Sequence, residues 1–305
     1  MILTTTKQDV LHHRSSTRSD IELLKILSAF GIVWFHSEYS PARDVAYAGL
    51  IVFLIFSAYF ATSATREHSV KDRSVRLLMP CIFWSLLYAA SSIARDQSVF
   101  SSGDSLISNI LTTPSIHLWY LPFTFISIVT IDRIRNNVDP LTLAVSTTIF
   151  ASILLITSPA WRQWSYASPL SQYMHAIPAI LIGILMGLGK KIELMPKIFL
   201  LGLVTISVLF TYIMKIPGVG VTYLIGIIAA SILLRGKSLL PRNNLMQTAS
   251  NLTFGIYLIH PILLFVLKHI GVHSVALPIA SFAASAVCIY TSLKLMPKSI
   301  SRYLM

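Results

Sequence analysis

Ten runs of predominantly apolar residues, each 15 to 20 residues long, follow one another along this chain. A helix needs about 20 such residues to cross the roughly 30 Å hydrocarbon core of a bilayer. Only 12% of the residues are charged and the mean hydropathy is +0.71, which is typical of polytopic membrane proteins. The sequence therefore predicts an all-α integral membrane protein with about ten transmembrane helices, at residues 21–37, 45–63, 75–94, 117–131, 141–157, 174–189, 198–214, 218–234, 252–270 and 275–293.

The basic residues are unevenly distributed between alternate loops. Eighteen of the 24 lysines and arginines lie in the N-terminal segment, in every second loop and in the C-terminal segment, and five lie in the remaining loops. Because cytoplasmic loops carry the excess of Lys and Arg, this pattern predicts an even number of spans with both termini in the cytoplasm. The predicted organisation is a polar cytoplasmic tail at 1–19, a single transmembrane domain at 20–294 and a basic cytoplasmic tail at 295–305.

Composition and motif content disfavour several classes of function. The net charge is +12, but the basic residues stand in short clusters between apolar runs, a pattern typical of membrane loops and not of a nucleic-acid interface. The two cysteines, Cys81 and Cys288, lie inside apolar runs and indicate no disulfide framework. No two histidines within one span are spaced for metal binding, so no metal site is predicted. The phosphate-loop, HExxH and GxSxG motifs of soluble enzymes do not occur.

The first predicted span carries two groups that are costly in lipid, Lys25 and His36. Eleven helical steps of about 100° return a side chain to within roughly 20° of its starting direction, about 16 Å further along the axis. The two groups therefore share one face of the helix. With the N-terminus inside, Lys25 lies toward the cytoplasm and His36 toward the opposite side of the membrane.

His36 is a candidate general base, because histidine is the side chain most readily neutral near pH 7. The alternative interpretation is an interfacial histidine that is hydrogen-bonded to a carbonyl group. Glu38, two residues later, is a candidate for orienting the imidazole. That role requires the helix to end first, since side chains at i and i+2 of a helix do not face each other. The alternative for Glu38 is a solvated loop carboxylate.

A basic pair precedes the third predicted span. Arg73 and Arg76 are i,i+3 neighbours and project to one side of a helix, which suits a ligand with several phosphates. The same residues also suit a simpler role, as topology-setting charges that face lipid phosphates. Both interpretations remain open at the level of the sequence.

Two further spans contain polar aromatic residues. His117, Trp119 and Tyr120 open the fourth predicted span in the stretch HLWYLP, where aromatic residues usually anchor a helix at the membrane interface. In the ninth span, His260 lies about halfway through the bilayer, directly before Pro261. A histidine at that depth is a candidate functional residue.

As a whole, the chain resembles the acyltransferase-3 family of integral-membrane O-acyltransferases, particularly the bacterial branch that modifies sugars of surface polysaccharides. The joint order and spacing of four stretches carry the resemblance, and ten helices match the family domain. The four stretches are DIELLKILSAFGIVWFH in the first span, RSVRLLMPCIFWSLLY in the third, HLWYLP in the fourth and FGIYLIHP in the ninth.

The resemblance implies transfer of an acyl group, usually acetyl from acetyl-coenzyme A, to a sugar hydroxyl group. It implies that His36 is the essential catalytic residue. In the family an arginine commonly lies eleven residues before this histidine and faces the donor, whereas this chain has Lys25, which keeps the charge but loses the planar guanidinium fork. Arg73 and Arg76 match the basic motif before the third-span proline and are candidates for binding the coenzyme phosphates. Four more residues match recurrent family positions and are candidates for substrate binding: His117, Trp119, Tyr257 and His260.

The predicted partners are acyl-coenzyme A, the lipid bilayer, and a polysaccharide or lipid-linked glycan acceptor. The predicted location is the bacterial cytoplasmic (inner) membrane. A transporter or flippase for a glycolipid or small solute is the alternative from another class, because many spans with scattered polar groups would also serve it. A catalytically inactive family member that acts as a sensor or scaffold is a third possibility, which the presence of His36 and the basic pair disfavours.

Overall fold

The computed structural model describes residues 18–38, 40–65, 69–99, 108–109, 111, 114–164, 166, 168–235 and 237–297. Within this part of the chain there are thirteen α-helices, three 3-10 turns and no β-strand, so the predicted all-α class is confirmed. Most of the two predicted tails lies outside the described residues. The helices are α1 (Ser19–His36), α2 (Arg43–Ala46), α3 (Ala48–Ser63), α4 (Val70–Ile93), α5 (Tyr120–Asn137), α6 (Pro140–Ile156), α7 (Ser158–Gln163), α8 (Leu170–Gly187), α9 (Leu194–Ile213), α10 (Gly220–Ala230), α11 (Asn244–Asn251), α12 (Thr253–His269) and α13 (Ala276–Leu295), and the 3-10 turns are Ile116–Trp119, Leu188–Lys190 and Ser231–Leu234.

Every one of the ten predicted spans coincides with a helix, but the count of ten membrane crossings is not confirmed. Within the described residues, five helical segments are long and apolar enough to cross a membrane. The bent pair α11 and α12, with an angle of 53° between its two parts, qualifies as a sixth. The five segments are Arg43–Ser63, Val70–Ile93, Leu170–Gly187, Leu194–Ile213 and Ala276–Leu295.

The remaining predicted spans fall short for two physical reasons. The α6 helix and the segment formed by α10 with the turn that follows it are apolar but short for a full crossing. Helices α1 and α5 each contain three charged residues, which makes their polar ends costly in hydrocarbon. These residues are Asp20, Glu22 and Lys25 in α1, and Asp132, Arg133 and Arg135 in α5.

Helix α3 lies at the centre of the bundle and contacts α1, α5, α8 and α10. Its inner face, which includes Leu54 and Ile55, is inaccessible to solvent. The α8 helix approaches it closely, because Gly183 and Gly187 form a GxxxG pattern on the contacting side. A Cβ atom at Gly183 would lie 2.5 Å from the carbonyl oxygen of Ile55, and one at Gly187 would lie 2.7 Å from the Cβ of Thr62. The missing side chains therefore let the two backbones meet.

Helices on the periphery present apolar side chains outward. Leu86 in α4 is 66% exposed, Ile213 in α9 is 72% exposed and Val287 in α13 is 63% exposed. Faces of this kind, on helices of this length, are suited to contact lipid. A multi-pass membrane protein is the architecture that these helices form.

Candidate active site

Three histidines from distant parts of the chain meet at one place in the bundle. His36 is the last residue of α1, His117 lies in the 3-10 turn before α5, and His260 lies in the middle of α12. The ring centroids of His36 and His260 are 5.2 Å apart, and those of His117 and His260 are 5.4 Å apart. His117 and His260 are buried, and His36 is half-buried. We refer to these three residues as the histidine cluster.

Pro261 determines how His260 is protonated when neutral. A proline has no N–H group, so the carbonyl group four residues earlier, that of Tyr257, lacks its usual helical donor. The Nδ1 atom of His260 is 2.7 Å from that carbonyl oxygen. Because a carbonyl oxygen can only accept a hydrogen bond, Nδ1 must carry the proton. The Nε2 atom of the neutral ring therefore has a free lone pair.

Tyrosines connect the histidine cluster to the surrounding helices. The hydroxyl group of Tyr257 donates to the carbonyl oxygen of His117, and the hydroxyl group of Tyr88 donates to that of Leu258 at 2.8 Å. The ring of Tyr88 lies edge-on to His117, with a centroid distance of 5.1 Å. These contacts join α4, the turn before α5 and α12, which holds the imidazole rings in a defined arrangement.

Two ring nitrogens of the histidine cluster are buried without a hydrogen-bond partner in the described part of the chain. They are Nε2 of His117 and Nε2 of His260. The other nitrogen of His117, Nδ1, lies 2.7 Å from the hydroxyl oxygen of Ser115. A buried polar atom without a partner costs free energy and is uncommon outside functional sites. A bound hydroxyl group or water would satisfy these atoms.

Glu38 lies away from the histidine cluster. Its carboxylate is at the surface, where it accepts a hydrogen bond from the ammonium group of Lys268. This hydrogen bond and the charge of Lys268 hold the pKa of Glu38 below its usual value. Among the described residues, Glu38 makes no hydrogen bond to His36. The residue whose ring lies beside His36 is His260, and the orienting role of Glu38 stays a prediction.

The basic residues predicted to bind the donor differ in whether they are paired. Arg73 forms an ion pair with Asp132 of α5, and Asp132 is also 3.2 Å from Arg135. Lys25 pairs with Glu22, one turn earlier on α1, at 3.0 Å. Within the described residues, Arg76 is exposed and has no ion-pair partner. Only Arg76 of the three is therefore available to an anionic ligand without breaking an ion pair.

Helix α4 begins earlier than predicted, and this positions the basic pair. The hydroxyl oxygen of Ser69 accepts a hydrogen bond from the N–H group of Asp72 at 3.0 Å, which caps the helix and starts it at Val70 instead of residue 75. Arg73 and Arg76 are therefore in the first two turns of α4. From Arg76 to Tyr88 the helix rises by about 18 Å, which separates the basic end of α4 from the histidine cluster.

Trp119 packs near the site but is not part of the histidine cluster. Its ring is buried and packs against Phe123 and Tyr173, with centroid distances of 5.7 Å and 6.0 Å. No ring contact joins Trp119 to the three histidines in the described structure. Trp119 is a core residue at the end of the turn that carries His117, and its part in substrate binding stays a prediction.

The sequence interpretation did not single out His175, Tyr88 or Tyr47. His175 is buried in α8, and neither of its ring nitrogens has a hydrogen-bond partner among the described residues. Its ring stacks on Tyr47 at 5.1 Å, and Tyr47 in turn lies 4.4 Å from the ring of Phe35, the neighbour of His36. A histidine inside the sixth predicted span was a signal that could have identified it.

The sequence profile of the acyltransferase-3 family, described as an acyltransferase domain, matches residues 18–293. The chain belongs to the acyltransferase-3 family. The resemblance noted from four short stretches is thereby confirmed over nearly the whole chain. No curated protein and no solved structure matches the chain.

Membership of the acyltransferase-3 family makes this protein a membrane acyltransferase. The matched range contains all nine residues that the sequence nominates for the site. Three of the nine converge in the histidine cluster, and a fourth, Tyr257, contacts two of them. In the described part of the chain, no group of three or more His, Cys, Asp or Glu side chains is arranged to bind a metal ion.

Proposed function

We propose that this acyltransferase moves an acyl group, in the simplest case acetyl, from acyl-coenzyme A to a sugar hydroxyl group of a cell-surface polysaccharide or its lipid-linked precursor. The observation that carries the proposal is the contact between His36 and His260. His260 has its lone pair on Nε2, because the carbonyl oxygen freed by Pro261 holds the proton on Nδ1. Two neighbouring imidazole rings with free lone pairs form a site that can accept a proton from an alcohol. The proposed location is a bacterial cytoplasmic membrane.

In the direct form of the mechanism, the oxygen of the acceptor hydroxyl group attacks the thioester carbonyl carbon while His36 takes the hydroxyl proton. The new bond is the ester C–O bond, and the bond that breaks is the thioester C–S bond. The proton then passes from His36 to the departing thiolate, so that protons and charge balance. In the alternative form, His36 attacks the thioester carbonyl carbon first, the C–S bond breaks, and the imidazole proton passes to the departing thiolate, which leaves an acyl-imidazole. The oxygen of the acceptor hydroxyl group then attacks the acyl carbon, the C–N bond to His36 breaks, and the ring takes up the hydroxyl proton.

Within either mechanism, His260 acts through its position beside His36. Its Nε2 lone pair accepts a hydrogen bond from the acceptor hydroxyl group or from a protonated His36. His117 also lies beside His260 and has a second unpartnered Nε2 atom. These two rings would orient the acceptor and stabilise positive charge on His36, while His36 transfers the proton.

The donor would approach from the basic end of α4. Arg76 is the proposed first contact for the coenzyme phosphates, because its guanidinium group has no ion-pair partner within the described residues. Arg73 and Lys25 would contribute to the positive potential there, although Asp132 and Glu22 offset part of their charge. An extended donor would then place its thioester some 18 Å further along α4, near Tyr88 and the histidine cluster.

Mass spectrometry of cell-surface glycans tests the proposed function. Cells that express the gene should carry O-acyl groups that are released by mild base, and cells without the gene should lack them. Purified protein should also release free coenzyme A from acetyl-coenzyme A when the modified glycan, chemically deacylated, is supplied as acceptor. Identical glycans in both strains, together with no release of coenzyme A when the deacylated total surface glycan is supplied, would contradict the proposed acceptor. A transporter would change the location of a glycan but not its mass.

A further inference from the structure

A basic cavity of about 260 Å³ lies at the end of the bundle opposite to the histidine cluster. It is formed where the start of α1, the end of α8, the start of α9 and the turn Ser231–Leu234 come together. Three cations line it, Arg18, Lys197 and Arg235, and its apolar wall includes Met186, Leu233 and Leu234. We refer to it as the basic cavity.

Arg18 is held firmly in the wall of the basic cavity. Its guanidinium group donates to the carbonyl oxygens of Arg235 at 2.6 Å and Ile232 at 2.9 Å. It also forms an ion pair with Asp20 at 2.9 Å. These contacts fix the geometry of one side of the cavity and neutralise one of its three positive charges.

The other two cations are not neutralised. In the described part of the chain, the side chains of Lys197 and Arg235 have neither an ion pair nor a hydrogen bond, and no Asp or Glu lines the cavity. Gly189 provides room for the side chain of Lys197, because a Cβ atom at position 189 would lie 2.5 Å from the Nζ atom of Lys197. Two uncompensated cations that face one concave space attract an anion more strongly than cations on an open surface do.

The size and lining of the basic cavity indicate what the anion is. Arg and Lys together are typical ligands of phosphate groups. The volume is below the roughly 300–1,000 Å³ of sites that enclose a drug-sized molecule, so a single phosphate or headgroup fits better than a whole coenzyme. The apolar wall suits the first methylene groups of an amphiphile. Basic pockets between helices of this kind bind anionic lipid headgroups.

We infer that the basic cavity binds a phosphate group, carried by an anionic phospholipid or by a soluble phosphate compound. This binding is independent of the proposed acyl transfer, since the cavity shares no residue with the histidine cluster or with Arg73 and Arg76. The bound anion would join α1, α8, α9 and the segment after α10 through Arg18, Lys197 and Arg235. It would therefore stabilise the folded bundle in addition to occupying the site.

The test compares two double variants of the full-length protein in detergent micelles. Lys197→Gln/Arg235→Gln removes both uncompensated cations from the cavity. Lys191→Gln/Lys237→Gln removes the same charge from exposed positions that do not line it. The probes are phosphatidylglycerol, phosphatidylcholine and inorganic phosphate, and the readouts are adducts in native mass spectrometry and the thermal unfolding midpoint.

We expect the cavity variant to bind phosphatidylglycerol at least about tenfold more weakly than the unmodified protein, with the control variant unchanged. Loss confined to phosphatidylglycerol identifies a lipid headgroup, and parallel loss of inorganic phosphate binding identifies a general phosphate site. Equal binding by both double variants overturns the inference. Lys197→Met, which keeps the length of the aliphatic chain, is tested in the same way in case the double variant does not fold, and unchanged binding by Lys197→Met overturns the inference equally.

Discussion

The two ends of this bundle are constructed on different principles. At one end, the histidine cluster consists of aromatic rings in mutual contact, held by hydrogen bonds from tyrosine hydroxyl groups to backbone carbonyl oxygens. At the other end, cations are tied to carboxylates of the same or a neighbouring helix, as in the pairs Arg73–Asp132 and Lys25–Glu22. The first end contains two unpartnered ring nitrogens, whereas the second combines these paired cations with unpaired ones, namely Arg76 and the Lys197 and Arg235 side chains of the basic cavity.

This difference shows which residues are available for chemistry and which hold the fold. A paired cation has part of its charge and some of its N–H donors committed to its partner, whereas an unpaired one binds a ligand without that cost. Among the residues predicted for the site, this criterion assigns the histidine cluster and Arg76 to the proposed reaction. Arg73 contributes mainly by joining α4 to α5 through Asp132.

After that of His36, the largest effect within this comparison is expected for His260. The variant His260→Phe removes the Nε2 lone pair beside His36 and should lower kcat on the order of 10²-fold, with little change in the KM of the donor. His269→Phe is the matched control. His269 is also in α12, and its Nδ1 atom also lies near a backbone carbonyl oxygen, at 2.9 Å, but it is exposed and outside the cluster. Equal kcat values for the two variants would remove His260 from the mechanism.

A smaller effect is expected when Pro261 is replaced. Pro261→Ala restores an N–H group that competes with His260 for the carbonyl oxygen of Tyr257, so that the tautomer of His260 is no longer fixed. Loss of one such hydrogen bond should lower kcat about two- to tenfold. Pro178→Ala is the control, because it also restores an N–H group inside a helix, α8. No histidine ring in the described structure is hydrogen-bonded to the carbonyl group that Pro178 leaves without a donor. A kcat that falls only in the control would contradict the role of Pro261.

At the basic end, Arg76→Gln is expected to affect donor binding, whereas Arg73→Gln is expected to affect stability. Arg76→Gln should raise the donor KM about tenfold at constant kcat, because a phosphate contact is lost in the ground state and the transition state alike. Arg73→Gln should instead lower the unfolding midpoint by about 2–4 °C, since Asp132 loses an ion-pair partner. Donor kinetics and thermal unfolding measured on both variants check this. A raised donor KM in both variants would contradict this difference and favour joint phosphate binding by the pair.

The smallest effect is expected for Glu38. Because Lys268 lowers the pKa of Glu38 from its usual 4.5, their ion pair stabilises the fold at neutral pH and is lost as the pH falls through the lowered pKa. Glu38→Gln should leave kcat within about twofold, since the pair with Lys268 is exposed and Glu38 makes no hydrogen bond to His36 among the described residues. Any decrease in thermal stability should be present at pH 7 and absent in acid. A fall in kcat on the order of 10²-fold would restore Glu38 as the residue that orients His36.

Much of the fold could be predicted because hydrophobic runs report directly on helices in lipid. The run at 198–214, for example, corresponds to α9 at Leu194–Ile213. The number of membrane crossings was harder to predict, because α1 and α5 combine apolar stretches with three charges each. The mean hydropathy of a window gives the same value wherever a charge lies within it. The cost of placing a charged side chain in the membrane depends on the depth of that side chain.

The members of the candidate site could be nominated from the sequence, but their contacts could not. His36 and His260 are 224 positions apart, and no local pattern indicates that their rings meet. The partner of Arg73 was equally hidden, because Asp132 belongs to another helix. The tautomer of His260, in contrast, could have been predicted. Pro261 follows it directly in the sequence and leaves a carbonyl oxygen one turn earlier without its helical donor.

The rate of acetyl transfer by purified, membrane-reconstituted protein tests the central claim most directly. The claim is that His36, beside His260, moves the proton of the acceptor hydroxyl group. We expect His36→Ala to lower kcat by about 10²–10⁴-fold while the protein remains folded and binds acetyl-coenzyme A normally, and His269→Ala to retain the full rate. A His36→Ala variant that transfers acetyl groups as fast as the unmodified protein would contradict the claim.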